Sequence, residues 1–497
     1  MSLTLLKAEV KVPFAGYRSY WEPTWLVRLR FVRDGPSIIR QGYHQFKDSL
    51  FQVRRIGADI VILTPKYVDE IRALSQDKVR SVEPFIHDFI GDYTRGTVFL
   101  ESDLQNRVIQ QRLTPNLGLL TSIMKTELDL ALKKEIPECK DQWFQVDINH
   151  LLARTVAHIS SRVFLGPEEC RNEEWHTATA EYSKNLFITG MALRMLPRWL
   201  RPVVAPLMPS YRALLTNVAT SRKIIGGILN SRQASKKELG PNYAKPTDIL
   251  QWMMDEATGR ERSLDNLAQR MLILSLTSIH TTALTMTQAL YDLCAHPEYF
   301  EPLRTEAANA LFDVGRWDKT LLSRLYKLDS LLKESQRFSP VFLLTFNRIF
   351  HNPMTLSDGT FLPPGTRVAV PSNAILQDPG LVPGPAAPSK FDPFRYSKLR
   401  EDPAQAEKAH RFMFTMTNSS NMAFGYGRYA CPGRFYAANE MKLILSHLLL
   451  RYEFNFPAGA KRPANFTIDS DMFPDPAARL LIRERKSLDP FLWKLTG

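Results

Sequence analysis

The chain has 497 residues, 44% of them hydrophobic, with four Cys and a formal net charge of +13. That is ample apolar material for a large core, whereas four cysteines without a C-x-x-C pair exclude a disulfide framework, a zinc ribbon or a thioredoxin-like redox pair and fit reduced thiols facing the cytosol. The positive charge suits a solvated basic surface, or a docking face for an acidic protein or an anionic membrane, while the lack of a helix-turn-helix signature, zinc finger or basic-aromatic stripe argues against a nucleic-acid partner.

No Gly/Ser linker, internal repeat or low-complexity tract divides the chain, so residues 1–497 read as a single domain. The N-terminal MSLTLLKAEVKVPFAGYRSY is not a signal peptide, because Lys7, Glu9 and Lys11 break its short apolar stretch, and no run reaches the roughly 18–20 apolar residues of a membrane span. In GADIVILTPKYVDEIRAL, the β-branched run Asp59–Leu63 predicts a strand that passes into a helix capped by Thr64 and opened by Pro65. From about residue 100 to 300 the periodicity is mostly helical, interrupted by the polar, breaker-rich QASKKELGPNYAKPT from Gln233, which predicts an exposed loop.

Residues 264–297 then predict a helix capped by Ser263 and ended by Pro297, roughly 45 Å long. Its middle third is apolar on all sides, as in a helix buried through the centre of a protein, and its cluster of Ser275, Thr277, Ser278, His280, Thr281 and Thr282 argues against a membrane span. A shorter helix, LYKLDSLLKESQRFSP, is closed by Pro340. TLSDGTFLPPGTRVAV predicts a hairpin turning at Asp358-Gly359, and LQDPGLVPGPAAPSKFDPFR predicts a meander. The last long helix is expected from about Gly433 to Leu450.

The chemistry concentrates in NMAFGYGRYACPGRFYAANE, residues 421–440. A free cysteine is most often a small core hydrophobe, but Cys431 lies in a Gly/Pro/aromatic loop that runs straight into a helix. Amides at a helix N-terminus favour a thiolate and lower its pKa. Gly427 permits a tight turn, Gly433 lets the chain pass close to a flat ligand, and Phe424 can shield the sulfur from water. Such a place suits a thiolate bound axially to haem iron.

FGYGRYACPGRFYA, Phe424 to Ala437, resembles the haem-binding loop of the cytochrome P-450 monooxygenases, and the likeness covers nearly the whole chain. Glu334 and Arg337 match the family's E-x-x-R, and Arg395 in FDPFR resembles the third member of that charge network, whose role is to hold the meander and the cysteine loop. TSIHTT resembles the family's oxygen-facing segment, with Thr281 at the threonine that helps deliver protons and His280 where Asp or Glu is usual. His280 then reads either as a satisfied core residue or as a proton relay. Tyr429 stands where the family has His or Arg on a haem propionate, with Arg428 or Arg348 able to supply the charge instead. Asn106 and Gln110 occupy the positions of the early W-x-x-x-R, for which Arg107 or Arg112 could substitute.

The resemblance implies a mainly α cytochrome P-450 fold with small β-sheets and a long central helix over the haem. Its cofactor would be haem b, with iron held by the Cys431 thiolate and the pocket built by Phe424, Gly427, Arg428, Tyr429, Gly433, Ala437 and Arg348. Stretches such as SRVFLGPEECRNEEW, SIHTTA and FDPFRYSKLRE are similar to filamentous-fungal members that serve secondary metabolism. Those act on the cytosolic face of the endoplasmic reticulum, as monomers tied to the membrane by an N-terminal helix that this chain lacks. The resemblance implies hydroxylation of a lipophilic terpenoid or alkaloid with O2 and NADPH electrons from a cytochrome reductase, cytochrome b5 being a second donor. The rivals are oxidative coupling, ring formation or desaturation on the same haem, and a haem protein without turnover. The segments Val82–Val98, around Phe187, Phe338–Phe346 and Met472-Phe473 resemble substrate-facing regions.

Overall fold

The computed structural model describes residues 10–486. Its centre is the helix Leu264–Ala295, 32 residues long and so about 48 Å at the helical rise. The Ser263 side chain accepts from the Asn266 amide at 3.3 Å, the cap its position predicts. Met271, Leu272 and Ile273 are buried in succession, a burial on every side that only a helix enclosed by others achieves. Helices Ile148–Leu165, Pro209–Leu239 and Tyr326–Phe338 pack against it, and Leu117–Glu135 packs on both Ile148–Leu165 and the terminal helix Arg434–Arg451. One apolar cluster joins these elements, from Leu104 to Ile482; each fully buried Leu, Ile or Met in it contributes about 1.5–3 kcal/mol.

Beside this helical mass lies a six-stranded sheet in the order Phe14–Ala15, Phe51–Arg55, Ala58–Ile62, Arg367–Val370, Thr345–Phe350, Val79–Arg80. In a smaller sheet Leu480–Glu484 lies between Tyr452–Asn455 and Phe144–Val146 and pairs with both. Two hairpins complete the strands. Phe466–Ile468 pairs with Asp471–Phe473, and Met354–Thr355 with Phe361–Leu362. The second turns at Asp358-Gly359, where Gly359 has φ +86° and the Asp358 carboxylate accepts from the Thr360 amide at 2.9 Å. This mainly α architecture is the one expected.

Two local expectations fail. The helix Pro209–Leu239 continues through Gln233–Leu239, where a loop was predicted. Gln, Ala, Lys, Glu and Leu are all good helix formers, and the true breakers start only at Gly240, with φ +51°. Arg232 in this helix is buried and pairs with Asp248 at 2.7 Å, anchoring a stretch that reads as solvated. Thr64 does stand extended between the strand and the helix Pro65–Ile71, but its hydroxyl caps nothing and is buried without a partner. Among the described residues no helix is long and apolar enough to cross a membrane; residues 1–9 of the N-terminal segment lie outside them.

Candidate active site

The Cys431 loop is closed by its own backbone. The Cys431 amide donates to Phe424 O at 2.7 Å, and the Arg428 amide donates to Arg72 O at 3.2 Å. Gly427 has φ +72°, and a Cβ there would stand 2.7 Å from the Arg72 carbonyl oxygen, so both conformation and space exclude a side chain. Gly433 differs from the expectation. Its φ is −85° and a Cβ would meet no protein atom within 4 Å, so the protein's own packing does not require glycine there. The Phe424 ring stands edge-on to the buried Phe414, centroids 5.0 Å apart. The Ala437 amide donates to Gly433 O at 2.9 Å, opening the helix Arg434–Arg451.

The Cys431 side chain keeps accessible surface, yet burial is the main cause that raises its thiol pKa. Its open face is therefore turned into an internal recess rather than to bulk water. The Gly433 and Arg434 amides and the Arg434 charge pull the pKa down, as a helix N-terminus should, but desolvation exceeds them.

Glu334, Arg337 and Arg395 meet in one buried cluster. Arg337 donates through Nε and Nη2 to the two Glu334 oxygens, each at 2.8 Å, and Arg395 Nε reaches the same carboxylate at 3.2 Å. Arg337 also binds Leu376 O, and the two remaining Arg395 nitrogens take four meander carbonyls, Pro383, Ala386, Ala387 and Lys390. The cluster thus ties the helix Tyr326–Phe338 to a segment that has almost no regular hydrogen bonding of its own.

The candidate anion ligands separate clearly. Tyr429 donates its hydroxyl to Leu74 O at 3.1 Å and offers only its ring, over which the Arg348 guanidinium lies at 4.8 Å. Arg428 is exposed. Arg107 pairs with Asp103 and Glu261, Arg112 pairs with Glu256, and Gln110 is exposed, with Asn106 half-buried beside them. Arg348 remains. It is 2% exposed and, among the described residues, hydrogen-bonds only Asn347 O at 2.8 Å and has Nε and Nη2 without partners. Burial pushes its pKa down to about 10, which leaves it charged at neutral pH. Beside it the strand Thr345–Phe350 carries a bulge, and Phe346 adopts φ +53°, a strained conformation that re-aims the neighbouring side chains. A buried cation with two free donors fits an anionic group such as a haem propionate.

On the central helix Thr281 donates its hydroxyl to Thr277 O at 2.7 Å, one turn back, and Thr285 repeats the pattern on Thr281 O. The helix nevertheless stays regular through this point, so the threonine bond does not open it. Burial lowers the His280 pKa, and the imidazole is neutral at pH 7.

Three of the expected substrate-facing segments come together as a chain of rings. Phe85 lies 4.7 Å from Phe89, Phe89 lies 6.4 Å from Phe187, and Phe187 lies 6.1 Å from Phe473. Phe338 does not join them but packs on Phe391 of the meander.

Two buried networks are invisible in the sequence. Arg55 pairs with Asp88 at 2.6 Å and Asp469 at 2.7 Å, Arg367 pairs with Asp88 at 2.6 Å, and Arg194 pairs with Asp469. These ties fix the backbone next to Phe89, Phe187 and Phe473. Near them burial pushes Asp471 up to about 7. In the second network, Glu440 accepts from Tyr436 at 3.0 Å and from Ser160 at 3.1 Å, and Ser160 reaches Ser278 of the central helix at 3.3 Å. Burial pushes Glu440 up to about 8, so it is protonated at neutral pH. Their long-range partners, such as Ser160 with Glu440 and Arg55 with Asp469, lie hundreds of positions apart and leave no local signal.

A solvent-accessible cysteine in a tightly turned loop at a helix N-terminus, a charge cluster that pins the preceding meander, and a long helix with a hydroxyl ladder define a haem-thiolate architecture. The Cytochrome P450 family model matches residues 24–480, and the chain belongs to that family. It is 64% identical to an ent-kaurene oxidase of Gibberella intermedia, over 97% of this chain and 89% of the relative. An ent-kaurene oxidase of Fusarium fujikuroi is likewise 64% identical, over 97% and 89%. The cytochrome P450 monooxygenase AN1598 of Emericella nidulans is 46% identical, over 98% and 90%. The protein is thus a monooxygenase of the kind that serves fungal secondary metabolism, in a family whose members carry haem with a thiolate-ligated iron.

Proposed function

We propose that this enzyme oxidises a polycyclic diterpene hydrocarbon of the ent-kaurene type, using O2 and electrons passed from NADPH by a reductase at the endoplasmic reticulum surface. The observation that carries the substrate reading is the ring chain Phe85–Phe89–Phe187–Phe473 in a chain 64% identical to ent-kaurene oxidases. Such walls favour a rigid hydrocarbon, which has no polar groups to leave unsatisfied. The site's residues fit haem b. Cys431 would hold the iron, and Arg348, with its two free donors, would hold a propionate. Bound there, thiolate-ligated haem supplies oxygen activation and insertion into a C–H bond.

The chain's own residues do the rest. Phe424 and Phe414 shield the Cys431 sulfur from water. The Gly433 and Arg434 amides stabilise its negative charge. Glu334, Arg337 and Arg395 hold the loop in register. Thr281 donates to Thr277 O, which leaves its own oxygen free to accept a hydrogen bond from a water and so to position that water as the proton donor. The +13 charge suits an acidic reductase.

The test is to express the chain with haem, reduce it under carbon monoxide beside Cys431→Ala, and supply reductase, NADPH, ent-kaurene and 18O2. A strongly red-shifted Soret band in the parent alone and 18O in the diterpene are expected. Intact haem-thiolate protein that consumes NADPH yet leaves ent-kaurene unchanged would refute the substrate, and an unshifted band would refute the ligand.

A further inference from the structure

Two helix ends and the middle of a third helix meet at a cluster that neither the haem site nor the substrate region uses. Glu135 closes the helix Leu117–Glu135, His158 lies in Ile148–Leu165, and Glu173 and His176 share the first turn of Glu173–Met195. The i,i+3 spacing puts the last two on one face. Asn172 fixes that turn by accepting from the Glu174 and Trp175 amides at 2.8 and 3.3 Å.

The two imidazoles stand edge to face, centroids 4.4 Å apart, and are 6% and 1% exposed. His176 Nε2 lies 2.9 Å from Cys170 O. A carbonyl only accepts, so Nε2 carries the proton and Nδ1 presents a lone pair. His176 Nδ1 is buried with no hydrogen-bond partner, and so is His158 Nε2. Glu173 Oε1 lies 3.8 Å from the first and Glu135 Oε1 lies 3.7 Å from the second. The ligand atoms of His158, Glu173 and His176 all fall within 4.8 Å of one another. An imidazole tied to a carbonyl by one nitrogen and offering the other is the arrangement that orients a metal ligand.

We propose that His158 Nε2, His176 Nδ1 and the Glu173 carboxylate, with Glu135 alongside, form a site for one divalent zinc-class ion that staples the three helices. Imidazole and carboxylate donors select this class over Mg2+ or Ca2+, which prefer all-oxygen shells. Half of the Glu173 side chain is exposed, which gives the ion an entry path. Two cations compete for the carboxylates: Lys134 on Glu173, half exposed and free to swing out, and the more enclosed Arg154, which bridges Glu135 at 3.1 Å and Glu173 at 2.9 Å.

The test uses tag-free, chelator-stripped holoprotein. Zn2+ is titrated against a chromogenic chelator, and Co2+ absorption reports the geometry. One equivalent of Zn2+ besides the iron, unmoved by millimolar Mg2+, is expected. His158→Gln and His176→Gln should each weaken it at least about tenfold, with the reduced carbon monoxide band unchanged as the check on folding. Glu173→Gln, at an exposed position, gives the same reading if a histidine variant does not fold, and Lys134→Ala should tighten binding. No stoichiometric uptake by the parent, equal binding by the variants, or unchanged or weaker binding by Lys134→Ala would overturn the site.

Discussion

Glu334→Gln isolates the charge at the centre of the buried cluster. In the wild type both Glu334 oxygens accept from Arg337 at 2.8 Å, and the carboxylate also takes Arg395 Nε at 3.2 Å and the Asp392 amide at 3.1 Å. Glutamine keeps the shape but sets an NH2 donor against one guanidinium donor. It also leaves two buried cations, Arg337 and Arg395, without a counter-charge. Breaking a buried pair by removing one partner costs about 3–5 kcal/mol. Because Arg395 keeps four carbonyls and Arg337 keeps Leu376 O, the lower end, about 3 kcal/mol, is expected here. That is a large share of the 5–15 kcal/mol typical of a whole domain. Urea unfolding followed by circular dichroism measures the loss, and the reduced carbon monoxide spectrum measures haem retained. A loss below about 1 kcal/mol with full haem content would refute the reasoning, since the meander would then be held by something else.

Three further outcomes follow from the same geometry. Arg348→Met should change sign with cofactor state, raising the melting temperature of haem-free protein by relieving an unpaired buried cation while lowering haem affinity in the holoprotein; the same sign in both states would refute its pairing with a propionate. Glu440 has a folded pKa of about 8, above its unfolded value, so the folded state holds the extra proton and stability falls as pH rises from about 4.5 to 8. Glu440→Gln should remove that slope, gaining on the order of 3 kcal/mol relative to wild type at pH 8 and little at pH 5, as urea titrations at the two values would show. Gly427→Ala meets the Arg72 carbonyl at 2.7 Å from a left-handed backbone, and a cost of at least about 1–3 kcal/mol with loss of the shifted Soret band is expected.

The sequence made legible what sits close together along the chain. The Cys431 loop, the Glu334–Arg337 pair and the Thr277–Thr282 stretch each carry their spacing within about fifteen residues, and the long helix announces itself by apolar residues on every side. Arg395 was legible because FDPFR is itself a short motif. The failures have two physical causes. Gln233–Leu239 looked like a loop because its residues are polar, yet polarity marks exposure and not conformation, and these residues favour helix. The roles of Tyr429 and Arg428 were set by direction: one hydroxyl turns to Leu74 and the other side chain to solvent, which no spacing reveals. The net pKa of Cys431 depends on how much protein surrounds it, a quantity that exists only after folding.

The ion pair between Arg55 and Asp469 joins positions 414 residues apart. During synthesis at 5–20 residues per second, roughly 20–80 s separate the two ends of that bond. Until Asp469 emerges, Arg55, Arg194 and Arg367 have Asp88 alone among their carboxylate partners in this cluster. The frame beside Phe89 and Phe187 therefore closes among the last events of biogenesis, and a nascent chain stalled short of residue 469 would present three crowded cations around one carboxylate where the finished enzyme has two.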